Sequence, residues 1–305
     1  MAKGYDVSQL PQYVEVNKDL IIKDVVLAPT YGDTIGKMQH QLGIKTSEKL
    51  NYLNVAAVLQ EANGCGFNPS GSTVITDRQL DTAQIAVMDE FCEETLLNKW
   101  VEYTVRVSAE EDPMPFESEI MDGVVKSINK QMEKLVWQGD TNNGDVLNGI
   151  VTIALGADSA STITGETASG ASVMAAVRQA YMALPEELLN DDQTTVFLSP
   201  AMFRQYVMEL VDANMYHYAP NNEEVNDIFI AGTSIKCHKT LGLEGSNYVV
   251  ATSYKNLGYG CDLMDAKEIA DLWFSKDNGT FRYRIRYNAG VMSYFPDEIV
   301  VIEKK

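Results

Sequence analysis

Residues 113–149 read PMPFESEIMDGVVKSINKQMEKLVWQGDTNNGDVLNG, and this stretch decides the fold. Pro113 and Pro115 suit the start of a helix, because a first turn does not need the N–H that proline lacks. An apolar residue then recurs every three or four positions, at Phe116, Ile120, Val124, Ile128, Met132 and Leu135. Lysines at 126, 130 and 134 occupy the other side. A single apolar stripe of this length predicts a long helix that lies on a sheet.

A polar turn ends the predicted helix at Gly139 and continues through Asp140–Gly144, before the chain resumes at Leu147. The turn departs from the calcium-loop pattern, because its glycine stands at the fifth position and Val151 occupies the place of the bidentate glutamate. A helix-ending turn is therefore the better interpretation, and the central element is interpreted as structural.

The charge of the chain is negative and unevenly distributed. The 305 residues carry a formal net charge of −19, and residues 51–278 contain 34 of the 43 acidic side chains but only 13 of the 24 basic ones. Phosphates are bound by lysine and arginine, so an acidic middle argues against a protein that grips nucleic acid. It indicates either a well-solvated surface or a wall that does not adhere to a polyanion.

Cysteine usage and hydropathy argue against a disulfide-rich secreted protein and against a membrane-spanning protein. Cys65, Cys92, Cys237 and Cys261 are scattered without a C-x-x-C pair, which favours reduced thiols in a cytoplasmic setting over a disulfide framework. The first residues lack the apolar segment of a secretory signal. No apolar run approaches the roughly 18 residues of a membrane span.

The first 90 residues predict two extensions. Residues 1–50 alternate short apolar and polar clusters, which is typical of an extended arm packed on a neighbour or of an edge strand on its own domain. Residues 51–90 predict a long hairpin, with a strand at Tyr52–Leu59, turn formers at 61–71, and returning strands at Ser72–Thr76 and Leu80–Val87. A two-stranded ribbon of this length needs support from another element or subunit.

A mixed α/β lobe follows the long helix. Phe91–Trp100 predicts a short helix before it, Tyr103–Val107 has no firm assignment, and Ile150–Ile153 has strand propensity. Ser172 caps a predicted helix that Pro185 ends, and Ser199-Pro200 begins another. A buried strand is predicted at Thr194–Leu198, and further strands are predicted at Ile228–Ile230, Thr233–Cys237 and Tyr248–Thr252.

The last segment predicts a pair of strands. Phe281, Tyr283, Ile285 and Tyr287 alternate with Arg282, Arg284 and Arg286, which gives one apolar and one basic face. Residues 288–290 predict a turn, and residues 291–301 a returning strand. This pair is the expected platform of the long helix, so the lobe at 146–278 is expected to be an insertion.

Catalytic, cofactor and metal sites are not predicted. The chain has no G-x-S-x-G, H-E-x-x-H, Walker A or G-x-G-x-x-G motif. His40, His217 and His238 lie far apart in sequence. The arginine row at 282, 284 and 286 could face DNA or be solvated, and pairing with carboxylates of a neighbouring subunit is favoured.

The order of arm, hairpin, long helix, polar turn, α/β lobe and returning strands resembles the major capsid proteins of tailed bacteriophages, which have the HK97-type fold. The resemblance covers nearly the whole chain. It rests on three segments: residues 132–140 with 147–150 as the end of a spine helix, Val196–Pro200 before a helix, and Phe281–Arg286 through Val291 as closing strands.

The resemblance implies an α+β fold with four parts. Residues 1–50 would form the N-arm, 51–90 the E-loop, 91–145 with 279–305 the peripheral domain, and 146–278 an inserted α/β axial domain. The expected function is structural and not enzymatic. Copies would form pentamers and hexamers of an icosahedral head around double-stranded DNA. Predicted intersubunit contacts are Phe67, Arg78, Arg282, Arg284 and Arg286.

The resemblance also implies partners and a location. A portal and scaffolding proteins are expected, with virion localisation after assembly in the bacterial cytoplasm, without a membrane or a sequence-specific DNA contact. Some family members lock the shell by an isopeptide bond from an E-loop lysine, but this chain has no lysine between Lys49 and Lys99, which predicts a shell without cross-links. An encapsulin-like compartment and a cytoplasmic α/β enzyme are the alternatives.

Overall fold

A computed structural model describes residues 34–56, 72–92, 116–156, 162–213, 227–230, 232–262, 270–275, 277 and 280–305. Predictions for residues 1–33, for the loop tip at 57–71 with Phe67, and for residues 93–107 with Trp100 lie outside these residues. Among the described residues, no helix is long and apolar enough to cross a membrane.

The described helices and strands form an α+β fold. The helices are α1 (Phe116–Gln138), α2 (Ile150–Leu155), α3 (Val173–Ala183) and α4 (Pro200–Asp212). The strands are β1 (Gln39–Leu42), β2 (Ser47–Ala56), β3 (Ser72–Asp81), β4 (Ala83–Cys92), β5 (Ile163–Glu166), β6 (Thr194–Leu198), β7 (Asp227–Phe229), β8 (Lys236–Lys239), β9 (Tyr248–Ser253), β10 (Leu257–Cys261), β11 (Ala270–Ser275), β12 (Thr280–Ser293) and β13 (Val300–Glu303).

A five-stranded sheet carries the long helix α1, as the sequence predicted. Strand β12 pairs with β4 along one edge and with β11 and then β10 along the other, and β1 adds to β10 in parallel. The buried stripe of α1 packs on the apolar face of β12 in one core. There the Tyr287 hydroxyl donates to Met132 Sδ at 3.4 Å. Lys126, Lys130 and Lys134 are exposed on the opposite side of the helix, which confirms the predicted orientation.

A six-stranded sheet of order β5-β13-β9-β6-β8-β7 forms the second core. All five residues of β6 are buried, as their β-branched and aromatic content predicted. Helices α3 and α4 pack on this sheet. Ser172 and Ser199 cap them by accepting from Ala175 N and Met202 N, which confirms both predicted helix starts.

Two local predictions were wrong. Residues 150–153 form helix α2 and not a strand, because Ile150, Val151 and Ala154 share one buried face. The Thr152 hydroxyl also donates to the Gly139 carbonyl at 2.6 Å. Phe91 and Cys92 end strand β4 and do not begin a helix, because they pair with Phe281 and Thr280.

The predicted turn at 288–290 was also wrong, since β12 runs unbroken from Thr280 to Ser293. The returning segment is confined to β13, which joins the six-stranded sheet through β5 and β9. Sheet membership therefore departs from the predicted ranges: β13 lies outside the five-stranded sheet, whereas β1 and β10 lie within it.

Candidate assembly surfaces

The hairpin formed by β2 and β3 is a two-stranded sheet that pairs with no other strand of the described chain. Its ten matched positions run from Ser47 opposite Asp81 to Ala56 opposite Ser72. The hairpin thus begins before the predicted Tyr52, and the second predicted returning segment divides between the end of β3 and β4. An isolated two-stranded sheet is marginally stable in water, and its outer edges offer unpaired backbone groups to another chain.

The base of the hairpin is fixed to the five-stranded sheet. Leu80 is fully buried and packs in a small apolar cluster with Ile44, Met292 and Tyr294. The Thr82 N–H and hydroxyl both donate to the Thr46 carbonyl, at 2.9 and 3.1 Å. The base of the hairpin is therefore anchored to the sheet.

The arginine row lies on the face of β12 turned away from the helix, as its period of two predicted. Within the chain, Arg282 Nε donates to Glu90 Oε2 at 2.9 Å across the β4–β12 pair. The Arg284 guanidinium lies over the Trp273 ring, 5.7 Å from its centroid. Among the residues that the structure describes, none forms a hydrogen bond or ion pair with Arg286. The predicted contact of these arginines with a neighbouring subunit stays a prediction.

Large apolar side chains accompany the arginines on this surface, which we call the sheet face (Met88, Glu90, Trp273, Arg282, Arg284 and Arg286). Met88 is 66% exposed opposite Arg284, and Trp273 is 40% exposed opposite Arg282. Tryptophan, methionine and arginine are enriched in protein–protein interfaces. The sheet face can therefore bury apolar area and accept carboxylates in a single contact.

Arg78, the remaining predicted contact residue, lies on β3 opposite Leu50 and not on the sheet face. It lines a cavity of about 580 Å³ between the hairpin base and the polar turn after α1, together with Asp77, Gln79, Thr141 and Asn148 among others. The turn itself is closed by its own groups, since Asp140 accepts from Asn142 N and Asn148 accepts from Thr141 N.

Sequence reasoning missed a buried polar joint on α1. Glu133 is fully buried, and its Oε1 accepts from the Thr34 hydroxyl and, at 3.1 Å, from the Thr240 hydroxyl. Trp137 Nε1 donates to the Thr34 oxygen at 3.1 Å. The available signal was the position of Glu133 between Met132 and Val136, inside the apolar stripe of the helix.

The histidines give no indication of catalysis in the described part of the chain. His238 is buried with Nδ1 against the Asp227 carboxylate, and the His40 ring lies 5.7 Å from that of Tyr259. No group of three or more histidine, cysteine or acidic side chains in the described ranges could hold a metal ion. Burial raises the pKa of the Cys237 thiol to about 12 and that of Cys261 to about 11, which makes both poor nucleophiles at neutral pH.

Comparison with known proteins finds similar folds among solved structures. No family model and no curated protein sequence matches the chain. Its structure is similar to a chain of the satellite phage P4 procapsid, with a TM-score of 0.64 and 11% identity over 100% of this chain and 93% of that chain.

Two further structures are similar. A chain of Gordonia phage Cozz matches with a TM-score of 0.56 and 12% identity over 90% of this chain and 87% of that one. A virus-like particle from Pyrococcus furiosus matches with a TM-score of 0.55 and 12% identity over 96% and 100%. At these identities the likeness establishes the fold alone, and the chain has the HK97-type fold of phage capsid proteins.

Proposed function

We propose that this chain is the major capsid protein of a tailed bacteriophage. Copies assemble into pentamers and hexamers of an icosahedral head that encloses double-stranded DNA, and the protein is part of the virion. The observation that carries the proposal is the likeness to procapsid and phage chains over nearly the full length of both partners.

The described surfaces support a tiling function. The hairpin is ten residue pairs long, is anchored at its base, and pairs along its outer edges with no other strand of the described residues. The sheet face combines an exposed Trp273 and Met88 with the arginine row. Each contact between subunits need be only modest, because many contacts close together in a shell.

The charges of the sheet face and of the hairpin suggest which surfaces of neighbouring copies meet. The sheet face supplies guanidinium groups, and the hairpin strands carry Glu48, Asp77 and Asp81. We infer that Arg282, Arg284 and Arg286 contact carboxylates of an adjacent subunit, with Arg78 and Phe67 contributing from the hairpin side. Guanidinium forks bind carboxylates in defined geometry, so such pairs contribute register more than affinity.

The division into parts is also proposed. Residues 1–50 would be the N-arm, 51–90 the E-loop, 91–145 with 279–305 the peripheral domain, and 146–278 the axial domain. Three strands depart from these ranges, since β1 and β10 belong to the five-stranded sheet and β13 belongs to the six-stranded sheet. Portal and scaffolding proteins would be the partners in assembly. The net charge of −19 supports a wall that does not adhere to the packaged polyanion.

An encapsulin-like compartment that encloses a protein cargo is the second candidate, because the virus-like particle of Pyrococcus furiosus is similar over 96% of this chain. Both candidates predict closed shells and differ in their contents. Negative-stain microscopy of the expressed chain tests for shells, and nuclease treatment of purified particles tests for protected DNA. Closed shells are expected from the expressed chain, and protected DNA is expected in particles that assemble together with the portal. A chain that stays monomeric at all concentrations would overturn both candidates, and shells filled with protein would favour the second.

A further inference from the structure

Residues 34–46 lead into the hairpin, and we call this segment the clip. Hairpin strand β2 begins directly after it at Ser47. One end of this segment of 13 residues, at Thr34, therefore follows the N-terminal residues 1–33, and the other end is the base of the hairpin. The contacts of the clip decide whether its two ends behave independently.

The first end of the clip is locked into the joint between α1 and the six-stranded lobe. The Thr34 hydroxyl donates to Glu133 and accepts from Trp137, both on α1. The same Glu133 oxygen accepts from Thr240, whose hydroxyl also accepts from Gly242 N at 3.1 Å. A buried polar group that loses its hydrogen-bond partner is costly. The clip, α1 and the segment at Thr240 share these hydrogen bonds, so moving any one of them leaves a buried polar group of another without this partner.

The middle of the clip belongs to the five-stranded sheet. Strand β1 pairs with β10 from Gln39 opposite Gly258 to Leu42 opposite Cys261. The Gly43 N–H donates to the Cys261 carbonyl at 2.8 Å, and Ile35 and Met38 are buried in the core that contains α1. The middle of the clip is thus bonded to the sheet and packed in the core, and it is not a loose linker.

The second end of the clip holds the base of the hairpin. Ile44 packs on Leu80, and Asn288 Nδ2 donates to the Lys45 carbonyl at 3.0 Å. The Thr46 carbonyl accepts both donors of Thr82, where β3 passes into β4. A change in the position of the clip must therefore alter the hairpin base.

We propose that the clip couples its two ends, so that fixing the Thr34 end also orders the hairpin base. Coupling between sites is reciprocal: if order at Thr34 stabilises the hairpin base, order at the hairpin base stabilises the Thr34 joint to the same degree. A first contact at either end of the clip supplies part of the ordering cost of the other, which makes successive contacts cooperative. The coupling is a property of the single chain and does not depend on the contents of a shell.

Hydrogen exchange followed by mass spectrometry on the full chain tests this coupling, because local opening reports local stability. Thr34→Val removes the shared hydroxyl with little change of shape. We expect exchange to accelerate about tenfold or more at residues 35–44 and at 240–244, and also at the hairpin base, residues 77–82. Thr194→Val is the matched control, since it removes another buried hydroxyl that donates to the Leu188 carbonyl within the six-stranded lobe. Its effect should stay near residues 188–195.

The reverse perturbation keeps the test decisive if Thr34→Val does not fold. Asn288 is half-buried, and its side chain donates to the Lys45 carbonyl at the hairpin end of the clip. Asn288→Ala removes this hydrogen bond. We expect faster exchange at 44–47 and, through the clip, at 240–244. If each variant accelerates exchange only at its own end of the clip, the two ends are independent and the proposal is wrong.

Discussion

Gly290 lies against the backbone of Asp81, and a Cβ on Gly290 would stand only 2.2 Å from the Asp81 carbonyl oxygen. The two residues are far apart in sequence, and their contact packs the end of β3 and the start of the β3–β4 connection against strand β12. Side-chain carbons do not approach backbone oxygens this closely, so any residue other than glycine would displace the hairpin base.

The first prediction follows from this contact. Gly290→Ala should lower the free energy of unfolding by about 1–3 kcal/mol, because the added methyl group overpacks a closed site. Gly123→Ala is the control, since Gly123 lies inside α1 with nothing within 4 Å of its Cβ position. Alanine there should raise the free energy of unfolding by about 0.5–1 kcal/mol. Urea unfolding measures both, and equal effects of the two substitutions would contradict the packing argument.

Gly290 also shows why part of the fold could not be predicted from sequence. Asn288-Ala-Gly290 has the composition of a turn, yet the glycine is required by a backbone segment about 200 positions earlier in the chain. Helix α1 could be predicted, because its stripe, its proline start and its glycine end lie within one continuous stretch. The joining of β13 to β5 and β9 depends on pairings that no local pattern encodes.

The candidate assembly surfaces, like the fold, could be predicted only in part from the sequence. Alternation along 281–287 placed the arginines on one face, because side chains of a strand alternate whatever their partners are. The ion pair of Arg282 with Glu90 and the stacking of Arg284 on Trp273 required the register of β4 and β11. Glu133 was visible as an acid within an apolar stripe, but its hydroxyl partners come from Thr34 and Thr240, about a hundred residues away on either side.

The second prediction concerns Arg286, for which the described residues supply no ion-pair partner. Arg286→Glu should change the free energy of unfolding of the single chain by no more than about 0.5 kcal/mol, as at most surface positions. It should sharply reduce the yield of shells, because it places like charges against carboxylates of the adjacent copy. Sedimentation separates shells from free subunits.

Arg178→Glu supplies the matched charge change on the exposed side of α3. It should leave the yield of shells closer to that of the unaltered chain. If both variants assemble equally well, Arg286 does not face a neighbouring subunit.

The third prediction concerns pH. Burial pushes the pKa of Asp191 upward, but hydrogen bonds from Lys255 and Ser253, both at 2.8 Å, outweigh it and hold the pKa below the usual 3.8. The unfolded chain therefore takes up this proton first as the pH falls. The stabilisation is present above the unfolded-state pKa of 3.8 and is lost as the pH falls from there through the lower pKa of the folded state.

Asp191→Asn tests the sign of this effect. The unaltered chain should be more stable than the variant at pH 7, and the difference in their free energies of unfolding should shrink as the pH approaches 3. Lys255→Met removes the largest group that lowers the pKa of Asp191. The free energies of unfolding of the unaltered chain and of this variant should therefore also converge as the pH falls toward 3. A difference that stays constant between pH 7 and pH 3 would show that the carboxylate has no stabilising partner.

The fourth prediction concerns covalent locking. An isopeptide bond of this kind needs an amine on the extended part of the hairpin. Lys49 lies near the hairpin base at the start of β2, and the chain has no lysine between it and Lys99. Arg78 is the only basic residue in that interval, and a guanidinium does not form such a bond. Particles boiled in detergent should therefore run as a single band of monomer on a denaturing gel. A ladder of multimers that survives boiling and reductant would contradict this prediction and would mean that Lys49 or a lysine outside the hairpin provides the amine.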